Sequence, residues 1–156
     1  MVGNKGEVQI RVIDYYSDEY NEELNLRNKV LRKPLGMNLF VENLEKEKYD
    51  VHLGAFINKH MVGVLILTEL TGSEIKMRQV AVEDEVRGNN IGSELVNFAE
   101  EYCKDKGYTL MVLNARKTAV GFYEKLGYNT LGEEFLEINI PHNKMYKHLS
   151  QEQHKI

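Results

Sequence analysis

Cysteine occurs once in the 156 residues and proline twice. A lone Cys103 cannot close an internal bridge, which excludes a disulfide scaffold. The N-terminus has no apolar stretch behind a basic one, so the expected setting is a reducing cytoplasm rather than an export route. Long hydrophobic runs are missing too. The longest uncharged apolar stretch, residues 61–68, falls far short of the ~20 needed to cross a bilayer, and a soluble chain with no membrane partner is expected. Nor is there an excess of positive charge. Twenty Lys and Arg against twenty-four Asp and Glu leave a formal charge of −4, the wrong sign for a chain living on phosphate backbones, so nucleic acid is a poor partner. No repeat or low-complexity tract appears, and Pro34 and Pro141 stand alone rather than marking a linker. One domain over 1–156 is therefore expected, long enough to bury roughly 68–70 % of its unfolded surface.

What is present is ordinary globular composition, 42 % hydrophobic and 28 % charged, arranged in clear periodicities. Residues 7–13 alternate as a strand. Ser17 followed by Asp18 and Glu19 opens a helix expected over about 18–33, closed by Pro34 and Gly36, with Arg27 and Arg32 on its polar face. Three strands follow at 51–57, 61–70 and 74–82, joined by turn-like segments as an antiparallel meander. From Ile91 the spacing of Ile91, Leu95, Ala99 and Tyr102 is helical and stops at Gly107. A buried strand is expected at 108–113, a short helix at about 118–126, and a hairpin of 135–140 with 144–149 turning at Pro141, His142 and Asn143. The order is an α/β mixture with a mostly antiparallel sheet flanked by helices.

Residues 80–95, VAVEDEVRGNNIGSEL, run from a strand through a glycine-containing turn into an amphipathic helix. Such a turn lets backbone amides converge on an anion, aided by the helix dipole and by a charge-assisted contact from Arg87. The alternative is a strand-to-helix connection that uses glycine only for its geometry. Two nucleotide motifs fail: Ser93 stands where a P-loop needs lysine, and G-x-G-x-x-G is absent. In the second stretch, 113–128 (LNARKTAVGFYEKLGY), a strand end with Asn114 leads into a helix bearing Phe122 and Tyr123. A tyrosine stays protonated at neutral pH, so Tyr123 can give a proton to a departing thiolate; the competing role is a core aromatic.

Together these segments resemble the GNAT superfamily of acyl-CoA-dependent N-acyltransferases over nearly the whole chain. The family's [RQ]-x-x-G-x-[GA] motif aligns with RGNNIG at 87–92, Asn90 replacing the central glycine, and its asparagine and helix-borne tyrosine align with Asn114 and Tyr123. LRNKVLRKPLG at 26–36, MRQVAV at 77–82 and GEEFLEINIPHNKMYK at 132–147 look like the ElaA-like branch. The resemblance implies acetyl-CoA as co-substrate. Its diphosphate would sit on Arg87, Gly88, Asn89, Asn90, Ile91, Gly92 and Ser93, its pantetheine arm along Gln79, Val80, Ala81 and Val82, and Asn114 would also contact it. Tyr123 would be the acid. A small-molecule or peptide amine is the implied acceptor, with Arg27, Arg32, Arg116, Glu134, Glu137 and His142 as candidate acceptor-side residues, the last three also as candidate bases. A homodimer is left open. The competing function is a non-catalytic acyl-CoA sensor, for which the Asn90 departure is the support. No metal is expected: His52, His60, His148 and His154 lack ligand spacing, and Cys103 reads as a small buried hydrophobe.

Overall fold

The computed structural model describes residues 7–86, 88 and 90–149. Strand β1 (Val8–Ile13) leads to helix α1 (Asp18–Leu31) and three short 3-10 turns, Lys33–Leu35, Leu39–Val41 and Glu45–Tyr49. Then come β2 (Val51–Ile57), β3 (His60–Glu69), β4 (Glu74–Val82), α2 (Ile91–Asp105), β5 (Leu110–Arg116), α3 (Val120–Lys125), β6 (Asn129–Glu137) and β7 (Ile140–His148). The seven strands form one sheet in the order β1-β2-β3-β4-β5-β7-β6, and the β4–β5 pair is parallel. The described ladders β1–β2, β2–β3, β5–β7 and β6–β7 are antiparallel, so the α/β class and the mostly antiparallel sheet expected from the sequence are present.

The backbone divides into two compact units, one of Met1–Thr68 with Gln79–Ala99, the other of Glu69–Arg78 with Glu100–Ile156. In the first, Ile13, Leu24, Leu26, Leu39, Phe56, Met61 and Val64 bury one core. The Asn28 side chain accepts a hydrogen bond from the Leu39 amide at 2.8 Å, tying the 3-10 segment to α1. Gly63 on β3 lets α2 approach: a Cβ there would stand 3.3 Å from Ile91 Cγ2 and 3.4 Å from Leu95 Cδ2. Each fully buried Ile, Leu or Val on that helix contributes about 1.5–3 kcal/mol, which holds its first turn against the sheet.

In the second unit, Met111, Leu113, Ala115 and Met145 are buried, as is Cys103, whose thiol burial pushes up to about 12. Lys147 donates to Glu100 at 2.9 Å and to the Leu126 carbonyl at 2.7 Å, and the Tyr128 hydroxyl donates to Glu100 at 2.8 Å. The hairpin differs from expectation. Its turn is at Ile138 and Asn139, both at positive φ (47° and 62°), the signature of a two-residue hairpin turn. Pro141 and His142 therefore lie inside β7. Proline fits there because the β5–β7 ladder ends at Arg116 and His142, one residue short of Pro141. β6 also starts six residues earlier than expected, with Gly132 (φ 77°) inside the irregularity between Leu131 and Phe135.

Candidate active site

β4 departs from ideal strand geometry at one residue. Gln79 has φ 55°, and its side-chain Oε1 is buried without a hydrogen-bond partner among the described residues. The β4–β5 ladder runs for three pairs, Glu74–Leu110, Ile75–Met111 and Lys76–Val112, and stops before Gln79. Within the following stretch Ala81 is buried in the core, with Val80 and Val82 half-buried. The Glu83 amide donates to the Val62 carbonyl at 2.8 Å, and the Glu83 side chain pairs with Lys29 at 2.8 Å, fixing the exit of the strand.

The turn that follows carries Gly88 at φ 92° and Asn90 at φ 63°. A left-handed residue costs most side chains 1–2 kcal/mol, and asparagine is among the few that adopt it readily. The Asn90 carbonyl accepts from the Glu94 amide at 3.0 Å and so begins the α2 ladder. The amides of the first turn, Ile91, Gly92 and Ser93, precede the intrahelical ladder, and helix amides in that position are the ones that take an anion. A Cβ at Gly88 would meet nothing within 4 Å, so the turn is open on that side. Arg87 and Asn89, expected to complete the cradle, lie outside the described residues.

The second unit holds Tyr123, Asn114 and the hairpin candidates. Tyr123 on α3 is buried, edge-on to Phe122 (4.9 Å) and Tyr128 (5.8 Å). Burial pushes its hydroxyl up to about 12, so it remains protonated and can act only as a proton donor near neutrality. Asn114 Nδ2 donates to Glu137 Oε1 at 3.2 Å, and Glu134 pairs with Lys117 at 3.3 Å. His142 is 4 % exposed, stacked on Phe135 with ring centroids 6.0 Å apart, and its Nδ1 lies 2.8 Å from the Ile140 carbonyl oxygen. Arg116 is its cross-strand partner.

Arg27 requires a correction. Rather than presenting a charge to an acceptor, its side chain is 1 % exposed and donates through Nη1 to Glu23 at 2.9 Å and through Nη1 and Nη2 to Glu47 at 2.8 and 2.7 Å. The Tyr20 hydroxyl adds a 2.7 Å bond to Glu47. His52 completes the group, with Nδ1 2.8 Å from a Glu23 oxygen and Nε2 2.8 Å from the Glu47 carbonyl. Both ring nitrogens face acceptors, so both must donate, and His52 is an imidazolium. Burial alone would lower its pKa; the Glu23 hydrogen bond and the Glu23 and Glu47 charges outweigh that and raise it. Two cations thus balance two carboxylates. Glu23, Glu47 and His52 bring ligand atoms within 4.8 Å of one another, but the guanidinium bonded to both carboxylates already supplies the cation. Arg32 is held by Glu42 at 2.7 Å.

A family model for the acetyltransferase (GNAT) domain matches residues 16–149. The chain belongs to that family. The uncharacterised protein YyaT of Bacillus subtilis is 36 % identical over 81 residues, 52 % of this chain and 55 % of that protein. The uncharacterised N-acetyltransferase YitI of the same organism is 29 % identical over 136 residues, 80 % of this chain and 88 % of its own. In its first three curated matches the chain spans only about half of the relative's length. Among solved structures, a putative N-acetyltransferase from Lactobacillus plantarum superposes with a TM-score of 0.84 at 20 % identity, covering 93 % of this chain and all of that one. Escherichia coli ElaA does so at 0.77 and 17 %, covering 90 % and 99 %. At those identities the likeness is one of fold. No helix among the described residues is long and apolar enough to cross a membrane.

Proposed function

We propose that the protein transfers the acetyl group of acetyl-CoA directly to a primary amine of a small molecule or peptide, both substrates being bound together. The observation that carries this reading is the left-handed turn at Gly88 and Asn90 opening α2, which leads directly into the first-turn amides of Ile91, Gly92 and Ser93. These amides, with Arg87 and Asn89, would hold the diphosphate. The backbone of residues 79–82, past the end of the β5 ladder, offers strand-like hydrogen bonds to an extended amide-bearing arm and a donor to polarise a carbonyl oxygen. Asn114 adds a polar contact, and Tyr123 gives its hydroxyl proton to the departing sulfur.

Asn90 is the one feature favouring a sensor without turnover, and it occupies a conformation that asparagine tolerates, so it does not weigh against a working cradle. Thiol release separates the readings. With acetyl-CoA and a panel of primary amines, the transferase reading expects amine-dependent CoA production and a mass gain of one acetyl group on an amine. Binding by calorimetry with thiol release no faster than hydrolysis would favour the sensor.

A further inference from the structure

Direct attack on a thioester needs an uncharged amine, and a primary ammonium has a pKa of about 10, so some group must take a proton at neutral pH. We propose that His142 is that base and that it acts through Nε2; the inference rests on the amine-transfer reading above. Nδ1 is 2.8 Å from the Ile140 carbonyl, which can only accept, so Nδ1 carries the hydrogen and Nε2 keeps its lone pair. The ring is almost wholly buried and stacks beside Phe135, with centroids 6.0 Å apart and planes 26° from parallel. Nε2 makes no hydrogen bond among the described residues, so its lone pair is not taken by a protein donor there. A basic atom with a fixed tautomer and a lone pair not taken by a protein donor is what a proton acceptor requires.

Its position agrees. Register pairs His142 with Arg116 and with Phe135, Lys144 with Asn114, and Ile140 with Glu137. Cross-strand partners and residues two apart share a face, so His142 lies on the same side of the sheet as Asn114, the residue assigned above to CoA. The titratable and charged groups that register places on that face are Glu74, Lys76 and Arg78 on β4, Arg116 on β5, Glu137 on β6, and Lys144 and His148 on β7. The two carboxylates that compete for the role are engaged, Glu137 by Asn114 and Glu134 by Lys117. In the step, Nε2 takes one proton from the ammonium, the freed nitrogen pair forms the C–N bond at the thioester carbonyl, and the C–S bond breaks. Sulfur takes the Tyr123 proton. The second nitrogen proton returns through solvent to the tyrosinate, and the imidazolium releases its own to water.

Two measurements decide it. Nitrogen NMR of the full chain should find the His142 hydrogen on Nδ1; a neutral ring with its hydrogen on Nε2 would overturn the proposal. His142→Asn places an amide N–H where Nδ1 stood and removes Nε2, with His142→Gln as a second variant if the first unfolds at lower temperature. With n-butylamine at neutral pH, kcat/KM should fall by about 10²–10⁴, the range for a lost general base. With hydroxylamine, uncharged there, it should stay near the parent value, and the butylamine loss should shrink as pH rises towards the ammonium pKa. Equal losses on both nucleophiles, or a loss independent of pH, would make His142 structural. A parent protein that acetylates neither amine would count against the transfer reading itself, while the tautomer would still decide whether His142 offers a lone pair.

Discussion

Replacing Arg27 by leucine separates a structural cation from an acceptor-binding one. The substitution keeps an apolar stem but leaves two buried carboxylates, Glu23 and Glu47, facing a single remaining cation, His52. Removing one partner of a buried pair costs about 3–5 kcal/mol, because the other charge stays desolvated. For a chain of this size 1 kcal/mol moves the melting temperature by about 2–4 °C, so Tm should drop by roughly 6–20 °C. Thermal unfolding followed by circular dichroism measures the drop, and urea unfolding with an unchanged slope assigns it to stability. Adding Glu47→Gln to Arg27→Leu should cost less than the two single losses combined, because each removes the same interaction. Below the melting range, KM for the amine should match the parent. A Tm within about 2 °C of the parent, together with a raised KM for carboxylate-bearing amines, would refute the reasoning and return Arg27 to the acceptor side.

The same cluster sets a pH dependence. His52 has a folded pKa above its unfolded value of about 6.5, so its contribution is complete below that pH and is lost as pH rises through the folded value. Tm relative to a His52→Gln variant should therefore narrow on the alkaline side; a difference that grows with pH would contradict a buried imidazolium. Tyr123→Phe should lower single-turnover acetyl transfer by about 10²–10⁴ while leaving acetyl-CoA affinity by calorimetry unchanged, and wild-type rates would remove Tyr123 as the acid. Asn90→Gly should bind acetyl-CoA at least as tightly, whereas Asn90→Val, β-branched at a left-handed position, should weaken it; a large loss in the glycine variant would mean that the Asn90 side chain contacts the ligand.

Elements whose periodicity reflects burial on one face were legible in the sequence. β4 falls at the expected residues 74–82, and α2 starts at Ile91 because Ile91 and Leu95 of its apolar stripe pack against β3 at Gly63. The turn before α2 was legible because glycine and asparagine are the residues that tolerate positive φ. Gln79 carried no such signal: a glutamine inside an alternating strand gives no hint of φ 55°. The final hairpin was misplaced because Pro141 reads as a turn residue, while the real turn uses Ile138, a β-branched residue that ordinarily avoids that conformation. Arg27 looked like a surface arginine because helical spacing reveals a face but not what covers it. Glu23 lies one turn away on the same helix, while Glu47 and His52 arrive from the following 3-10 segment and from β2, far off in the sequence. His142 was named among the candidates, yet its tautomer depends on a carbonyl two residues earlier in the strand, which only coordinates reveal.

Direct transfer from acetyl-CoA to an amine is put to the test by rapid-quench single turnover. Protein in excess over acetyl-CoA is mixed with n-butylamine, and thiol, N-acetylbutylamine and the intact protein mass are followed on the same time course. With direct transfer, thiol and N-acetyl product should rise together in equal amounts, with no thiol burst when the amine is withheld and no acetyl group on the protein at any time. A burst of thiol without amine, accompanied by an acetylated protein, would contradict it.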